Sequence, residues 1–201
     1  MRVRDDAKVQ LVKQKAMEMV VSDGFEGFSV NKLARACGIS VATLYIYYKD
    51  KDDLIIQVAL EEAERMKTIT LDNFDPDMPF IDGLRLQWAN RARYALENTT
   101  ALMFFEQLRT STYQEQVMKT IFDSFKTAMG RFIGNAVSRG EIDKMPLEAY
   151  WSVAFAPLYS LLRFHNEGRS IGGKKFKINE ELMWKTFDLV VKALYIGKTK
   201  K

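Results

Sequence analysis

The sequence predicts an all-α protein: a three-helix unit containing a helix-turn-helix, followed by a larger helical domain, about nine helices in all. Three observations predict this. Apolar residues recur at three- and four-residue spacing almost from end to end, the period of a helix with one buried face. No stretch alternates with the period of two that marks a strand. Between Gly24 and Leu54, two short helical segments with their own serine caps flank a single glycine stop.

The first helix is expected over Asp5 to Asp23, with Val9, Val12, Ala16, Met19 and Val20 as the stripe that closes a small core with Leu33 and Leu44. Ahead of it, Arg2 and Arg4, with Lys8, make a basic end. It is read as a solvated terminus, with an arm reaching phosphates or a minor groove as the alternative. Ser29 caps the second helix, Val30 to Cys37, whose Val30, Leu33 and Ala34 share one face. Gly38 ends it, because a left-handed position costs glycine nothing. Ser40 then caps the third helix after a turn of about three residues, the spacing of a helix-turn-helix. Leu44 and Tyr48, four apart, face inward. Thr43 and Tyr47 face outward beside Ala42, Tyr45 and Ile46, and Lys49 and Lys51 follow. A face of hydroxyls and methyls with lysines after it suits a helix laid in the DNA major groove.

Asp50 caps a fourth helix running to Leu71, with Asp52 and Asp53 favourably placed against its dipole and Leu54, Val58 and Leu60 buried. The run Asp72 to Met78 reads as a loop. Pro79 opens a helix to Glu97 carrying Leu84, Trp88, Ala92 and Leu96. After an interruption at Asn98–Thr100, a shorter helix holds Leu102, Met103, Phe105 and Leu108. A long amphipathic helix, Gln114 to Arg139, carries Val117, Ile121, Phe125, Met129, Phe132, Ile133 and Ala136 and stops at Gly140. The next, Pro146 to Glu167, is apolar nearly all round and expected to kink at Pro157. A Gly/Lys-rich loop, Gly168 to Lys177, leads to the last helix, Asn179 to Ile196, with Leu182, Phe187, Val190, Val191 and Leu194 buried.

Bulk properties narrow the class. The chain has 201 residues, 47% hydrophobic and 28% charged, with a net charge of +4, which is too mild to imply nucleic-acid binding unaided. Its one cysteine, Cys37, allows no disulfide within the chain and is read as a small buried apolar residue. Its one histidine, His165, sits near a helix end and is read as a core or dipole-complementing residue. No HExxH, GxSxG, P-loop or GxGxxG occurs, and no acid/base pair stands out, so no enzymatic activity, cofactor or metal is expected. No charged n-region leads an apolar stretch at the start. The longest apolar run, Val153 to Leu162, is too short to span a bilayer. A cytoplasmic location without membrane contact is the expectation.

The residues Gly24-Phe25, Ser29-Val30, Leu33-Ala34, Gly38-Ile39-Ser40, Thr43-Leu44-Tyr45, Tyr47-Tyr48, Lys51 and Leu54 together resemble the DNA-binding domain of the TetR family of bacterial repressors. Val12, Ala16, Met19 and Val20 resemble that family's first helix, so the resemblance covers roughly the first quarter of the chain. Two departures stand out. Lys32 replaces the acid of a reciprocal capping box, and Tyr48 replaces a commoner Phe. The resemblance implies a DNA-binding domain over 1–52 and a ligand-binding and dimerisation domain over 53–201. It also implies a repressor that binds double-stranded operator DNA as a homodimer through its last two helices and is released by a small-molecule effector.

On that reading Ser29, Thr43, Tyr47, Lys49 and Lys51 donate to phosphates, which position the protein without reading sequence. Val41, Ala42, Tyr45 and Ile46 face base edges. None of the four is an Arg, Lys, Asn or Gln, so specificity is expected from thymine methyls and groove shape. The effector is expected among Trp88, Met103, Phe104, Phe105, Phe122, Phe125, Met129, Trp151, Phe155 and Tyr159, an apolar and aromatic set. Arg91, Arg93, Glu106, Arg109 and Arg163 are the candidates for an orienting polar contact. The alternative is a helical ligand-binding or adaptor protein that has lost specific DNA binding.

Overall fold

A computed structural model describes residues 6–197, the side chain of Ser124 apart, so Arg2 and Arg4 lie outside the described residues. Ten helices follow one another: α1 (Asp6–Gly27), α2 (Val30–Ala36), α3 (Val41–Tyr47), α4 (Lys51–Thr70), α5 (Phe80–Glu97), α6 (Thr99–Leu108), α7 (Gln114–Ser138), α8 (Leu147–Ala154), α9 (Ala156–Glu167) and α10 (Glu180–Leu194). Among the described residues there is no strand, only isolated bridges at Ile142–Tyr195 and Arg169–Lys175. No helix there is long and apolar enough to cross a membrane. The contacts divide the chain into two compact units. One takes the residues up to 66 together with 98–124, and the other takes 67–97 together with those from 125 on.

The first unit is built on α1, which packs on α2 and α6. Val9, Val12, Ala16, Met17 and Val20 form its buried stripe. Met17 replaces the expected Met19, which is half-buried, because the stripe drifts as 3.6 residues per turn accumulate. Helical continuity breaks at Gly24 (φ 71°), one residue after the expected end. Helix α6 turns in Ala101, Phe104 and Leu108, three and four apart. This corrects the expected row Leu102, Met103, Phe105, of which Met103 is exposed. Phe104 packs at a tilt against Phe25 of α1 with ring centroids 6.1 Å apart, and Gln107 Nε2 donates to the Val21 carbonyl at 3.1 Å. A feature absent from the sequence reading sits between α1 and α4. The Lys13 ammonium lies 2.8 Å from a Glu62 carboxylate oxygen, with both side chains buried.

In the second unit α5 packs on α9 and α10, and α8, α9 and α10 pack on one another. Trp88, buried at the centre of α5, packs edge-on against Phe187 and donates from Nε1 to the Ala154 carbonyl at 2.7 Å. That bond explains why the expected kinked helix over Pro146–Glu167 is two helices. Pro157 has no N–H for the Val153 carbonyl four residues back, and the helix breaks at Phe155, with α8 ending at Ala154 and α9 starting at Ala156, which also opens the Ala154 carbonyl. The freed carbonyl is taken by an indole from another helix. Leu96, expected inside, is exposed. In α10 the buried face is Met183, Phe187, Val190 and Leu194, with the expected Leu182 and Val191 half-buried at its margins.

At Gly83 the backbone of α5 lies directly against a side chain of α7. A Cβ there would run into the ring of Phe132, itself fully buried and stacked on Phe80 with Phe74 against its edge. The ring has nowhere to retreat. Gly83→Ala is expected to destabilise the protein by about 1–3 kcal/mol through overpacking, read by denaturant unfolding. The gain in helix propensity, about 1 kcal/mol, would prevail only if the ring could shift.

Candidate nucleic-acid interface and effector site

The helix-turn-helix forms as its caps dictate. Ser29 Oγ accepts from the Lys32 N–H at 3.5 Å and opens α2, without a reciprocal acid. Cys37 is the half-buried C-cap of α2, a correction to its expected place inside the helix, and burial pushes its thiol above the ordinary range. Gly38 then takes φ 66°, its N–H bonding to the Arg35 carbonyl while Ile39 N–H bonds to that of Ala34. These bonds satisfy carbonyls that the end of α2 leaves open. Ser40 Oγ accepts from the Thr43 N–H at 3.1 Å, and the two hydroxyls lie 2.9 Å apart.

Helical phase then sorts α3. Leu44 and Tyr48 are buried in the first unit's core. Ala42, Tyr45, Ile46 and Lys49 are exposed, while Val41, Thr43, Tyr47, Lys51 and Ser29 are half-exposed. All nine residues expected at DNA therefore keep some surface in solvent. Ile46, at 63% exposure, exceeds Tyr45, the other exposed large apolar side chain of this helix. Lys51 makes structural contacts that the sequence did not announce. Its ammonium donates to the Phe25 carbonyl at 3.0 Å and stands 5.7 Å over the Phe28 ring, tying the start of α4 to the end of α1. The N-cap of α4 is reciprocal: Asp53 N–H bonds to the Asp50 carboxylate at 2.8 Å, and the Asp53 carboxylate accepts from Lys49 N–H at 2.7 Å. Hydrogen bonds from Gln57 and then from Lys49 hold the Asp53 carboxyl below its ordinary value.

The expected effector residues separate into groups. Four converge in the second unit. Phe155, Trp151 and Phe125 surround the Arg91 guanidinium at 4.4, 5.5 and 5.6 Å, and Tyr159 Oη accepts from Arg91 Nη1 at 3.0 Å. Trp151 and Phe155 are 5.1 Å apart, and Trp151 stacks on Tyr159. Met129 is half-buried on α7. Trp88 is a packing residue bound to the break between α8 and α9. Phe104 belongs to the core of the first unit with Phe105 beside it, and Met103 and Phe122 are exposed.

Of the charged candidates, Arg93 pairs with Asp72, Arg109 lies 4.0 Å from Glu106 and Arg163 lies 3.8 Å from Glu167, all at the surface. Arg91 is buried. A separate cavity of about 360 Å³ is lined by Ala92, Arg93, Leu96, Ile178, Met183 and Trp184 among others, which include the charged candidate Arg93 but none of the expected apolar and aromatic residues. Its α5 residues lie on the side of that helix away from Arg91. His165 Nδ1 accepts from the Ile178 N–H at 3.3 Å, which joins the end of α9 to the segment before α10.

Residues 14–58, the part that contains the helix-turn-helix, match the family profile described as bacterial regulatory proteins, tetR family. An HTH-type transcriptional regulator of Haemophilus influenzae is 27% identical over 103 residues, 51% of this chain and 55% of that protein. The chain thus spans about half the length of that relative, and less of the next ones. The crystal structure of a TetR family transcription regulator from Marinobacter aquaeolei VT8 superposes with a TM-score of 0.84 at 26% identity, covering 97% of this chain and 99% of that one. The regulator FadR of Bacillus subtilis, in complex with stearoyl-CoA, shares the fold: TM-score 0.69 at 17% identity, over 91% of this chain and 97% of that one.

Proposed function

We propose, from the premise that the chain belongs to the TetR family of transcriptional regulators, that it is a repressor. On this reading it binds operator DNA as a homodimer and leaves it when a small, largely apolar or aromatic effector binds. The observation that carries the DNA half is the outer face of α3. Leu44 and Tyr48 use up the inward positions, yet Tyr45 and Ile46 stand 50% and 63% exposed beside Ala42. Apolar side chains of this size held in solvent on a capped helix fit contact with thymine methyls in a major groove. Thr43, Tyr47, Lys49 and Lys51 flank that face as phosphate donors, with Lys51 keeping ammonium protons beyond the one given to Phe25.

The effector half is supported by the aromatic cluster around Arg91 in the second unit. FadR, with its stearoyl-CoA, is a member of the fold that takes a molecule with a long apolar body. The residues of α4 begin in the first unit and end in the second. An effector that favours one course of α4 would alter the separation of the two recognition helices and shift the population off DNA.

A fluorescence-anisotropy titration against the promoter DNA flanking the gene tests this. Ile46→Ala is expected to relax sequence preference, lowering the gap between specific and mismatched sites by about 1–3 kcal/mol. Lys49→Ala is expected to weaken all DNA alike and reduce the salt slope by about 1. Equal binding of promoter and unrelated DNA by the unaltered protein would discard the operator reading and favour the adaptor alternative.

A further inference from the structure

Arg91 is a buried cation with no carboxylate partner among the described residues. It is 4% exposed and makes one hydrogen bond, from Nη1 to the neutral Tyr159 hydroxyl, while Nε has no acceptor at all. Three aromatic rings at 4.4 to 5.6 Å attract the charge but accept little hydrogen bonding from its edge. The contrast with Lys13 is instructive: that buried cation is given Glu62 at 2.8 Å. Removing a guanidinium from water without a carboxylate is costly, so this arrangement asks for an anion from elsewhere. A second group points the same way. Tyr150 Oη, on a side chain only 1% exposed, also has no partner. Burial raises its pKa far above the ordinary phenol value against the pull of the nearby Arg91 charge, so it remains a donor at any physiological pH. Trp151, at 43% exposure, brings the edge of the cluster to solvent.

We propose that Arg91 receives the carboxylate of a singly charged effector whose remaining body is apolar or aromatic, with the Tyr150 hydroxyl as a further donor. The guanidinium edge presents Nε beside an Nη in the fork that matches two carboxylate oxygens. One cation with no second positive charge in the cluster balances a monoanion rather than a phosphate dianion. The walls of Phe125, Trp151 and Phe155 suit an apolar remainder. This rests on the effector reading above and makes its chemistry specific.

The test uses the full chain without DNA. Decanoate, hexadecanoate, phenylacetate and 4-phenylbutyrate are titrated beside their primary amides, following tryptophan fluorescence and heat of binding. At least one carboxylate is expected to bind about 10- to 100-fold more tightly than its amide, the range for a hydrogen-bonded charge. Arg91→Met is expected to abolish that difference while leaving amide binding in place. Tyr150→Phe removes a hydroxyl with no partner in the free protein, so it should fold normally and reduce the preference by about 10-fold. If no carboxylate in the panel outbinds its amide, or if both variants retain the preference, the proposal falls. Operator binding is measured separately. Failure here with intact operator binding removes the anion site alone, and carboxylate binding without operator binding removes the regulator reading alone.

Discussion

On the homodimeric repressor reading proposed above, Leu189→Glu is expected to give a monomer and to lower operator affinity by about 10³-fold or more. The reason lies in the face of α10 that its own chain leaves uncovered. Leu182, Thr186, Leu189 and Ala193 follow at alternating four- and three-residue steps, the spacing of a helix–helix seam, and Ile196 lies just beyond the end of the helix. Leu189 is 64% exposed and Ile196 55%, while Met183, Phe187, Val190 and Leu194 are buried on the opposite side. On α9, Leu161 and Phe164 are half-buried in the same way. Two copies packing these helices would form a four-helix bundle, with each copy supplying the same patch. A carboxylate at position 189 would then lose its water inside an apolar seam without a partner. In the isolated chain the same carboxylate stays in solvent, so unfolding free energy should change by less than about 0.5 kcal/mol. Loss of the second half-site leaves essentially non-specific contacts, about 10³- to 10⁷-fold weaker than specific binding. Sedimentation and anisotropy on the same sample check both halves. A variant that stays dimeric would move the interface off α10.

How much of this was legible in the sequence depended on the range of the interaction that decided it. The helix-turn-helix was readable because every device in it is local: Ser29 and Ser40 cap within three residues, and Gly38 supplies the positive φ in place. The inward phase of Leu44 and Tyr48 followed from the same four-residue spacing. Choices made between distant segments were not readable. The row Ala101, Phe104, Leu108 was hidden inside a helix apolar on several faces, and Phe25 selected it. Pro157 signalled a disturbance, yet the full break at Phe155 needed the Trp88 indole to take the Ala154 carbonyl. For the proposed DNA face, a short helix with its core positions already filled leaves little choice about what points outward. For the effector site, Arg91 was one of five charges of equal standing. Only its tertiary place, inside three rings and unpaired with any carboxylate among the described residues, sets it apart from Arg93, Arg109 and Arg163 at the surface.

Glu62→Leu is expected to destabilise the protein by about 3–5 kcal/mol, a fall in Tm of roughly 10 °C for a chain of this size. In helical-pattern reading, Lys13 and Glu62 look like two polar surface positions. In the fold they meet at 2.8 Å with side-chain exposures of 7% and 2%, joining α1 to α4. Removing the carboxylate leaves an ammonium that cannot reach water, and this uncompensated charge is the source of the loss. Lys13→Met should cost less, because Glu62 still accepts from Arg65 Nη1 at 2.7 Å, and Arg65 is half in solvent. The double variant Lys13→Met/Glu62→Leu fills the same volume without charge and should recover most of the loss, since a buried pair and its apolar replacement are often close in stability. Unfolding at 0.05 M and 0.5 M salt adds an independent check. A pair this buried is barely screened, so the effect of Glu62→Leu should be nearly the same at both, unlike that of a surface pair such as Lys185–Glu181. If the double variant is as unstable as the single one, the loss comes from packing around Glu62 and the stranded-charge account fails. If it recovers, α1 and α4 can be joined without the charges. Operator binding by that double variant then measures whether the α1–α4 junction needs only to be held, or held by this polar pair, for α3 to meet DNA.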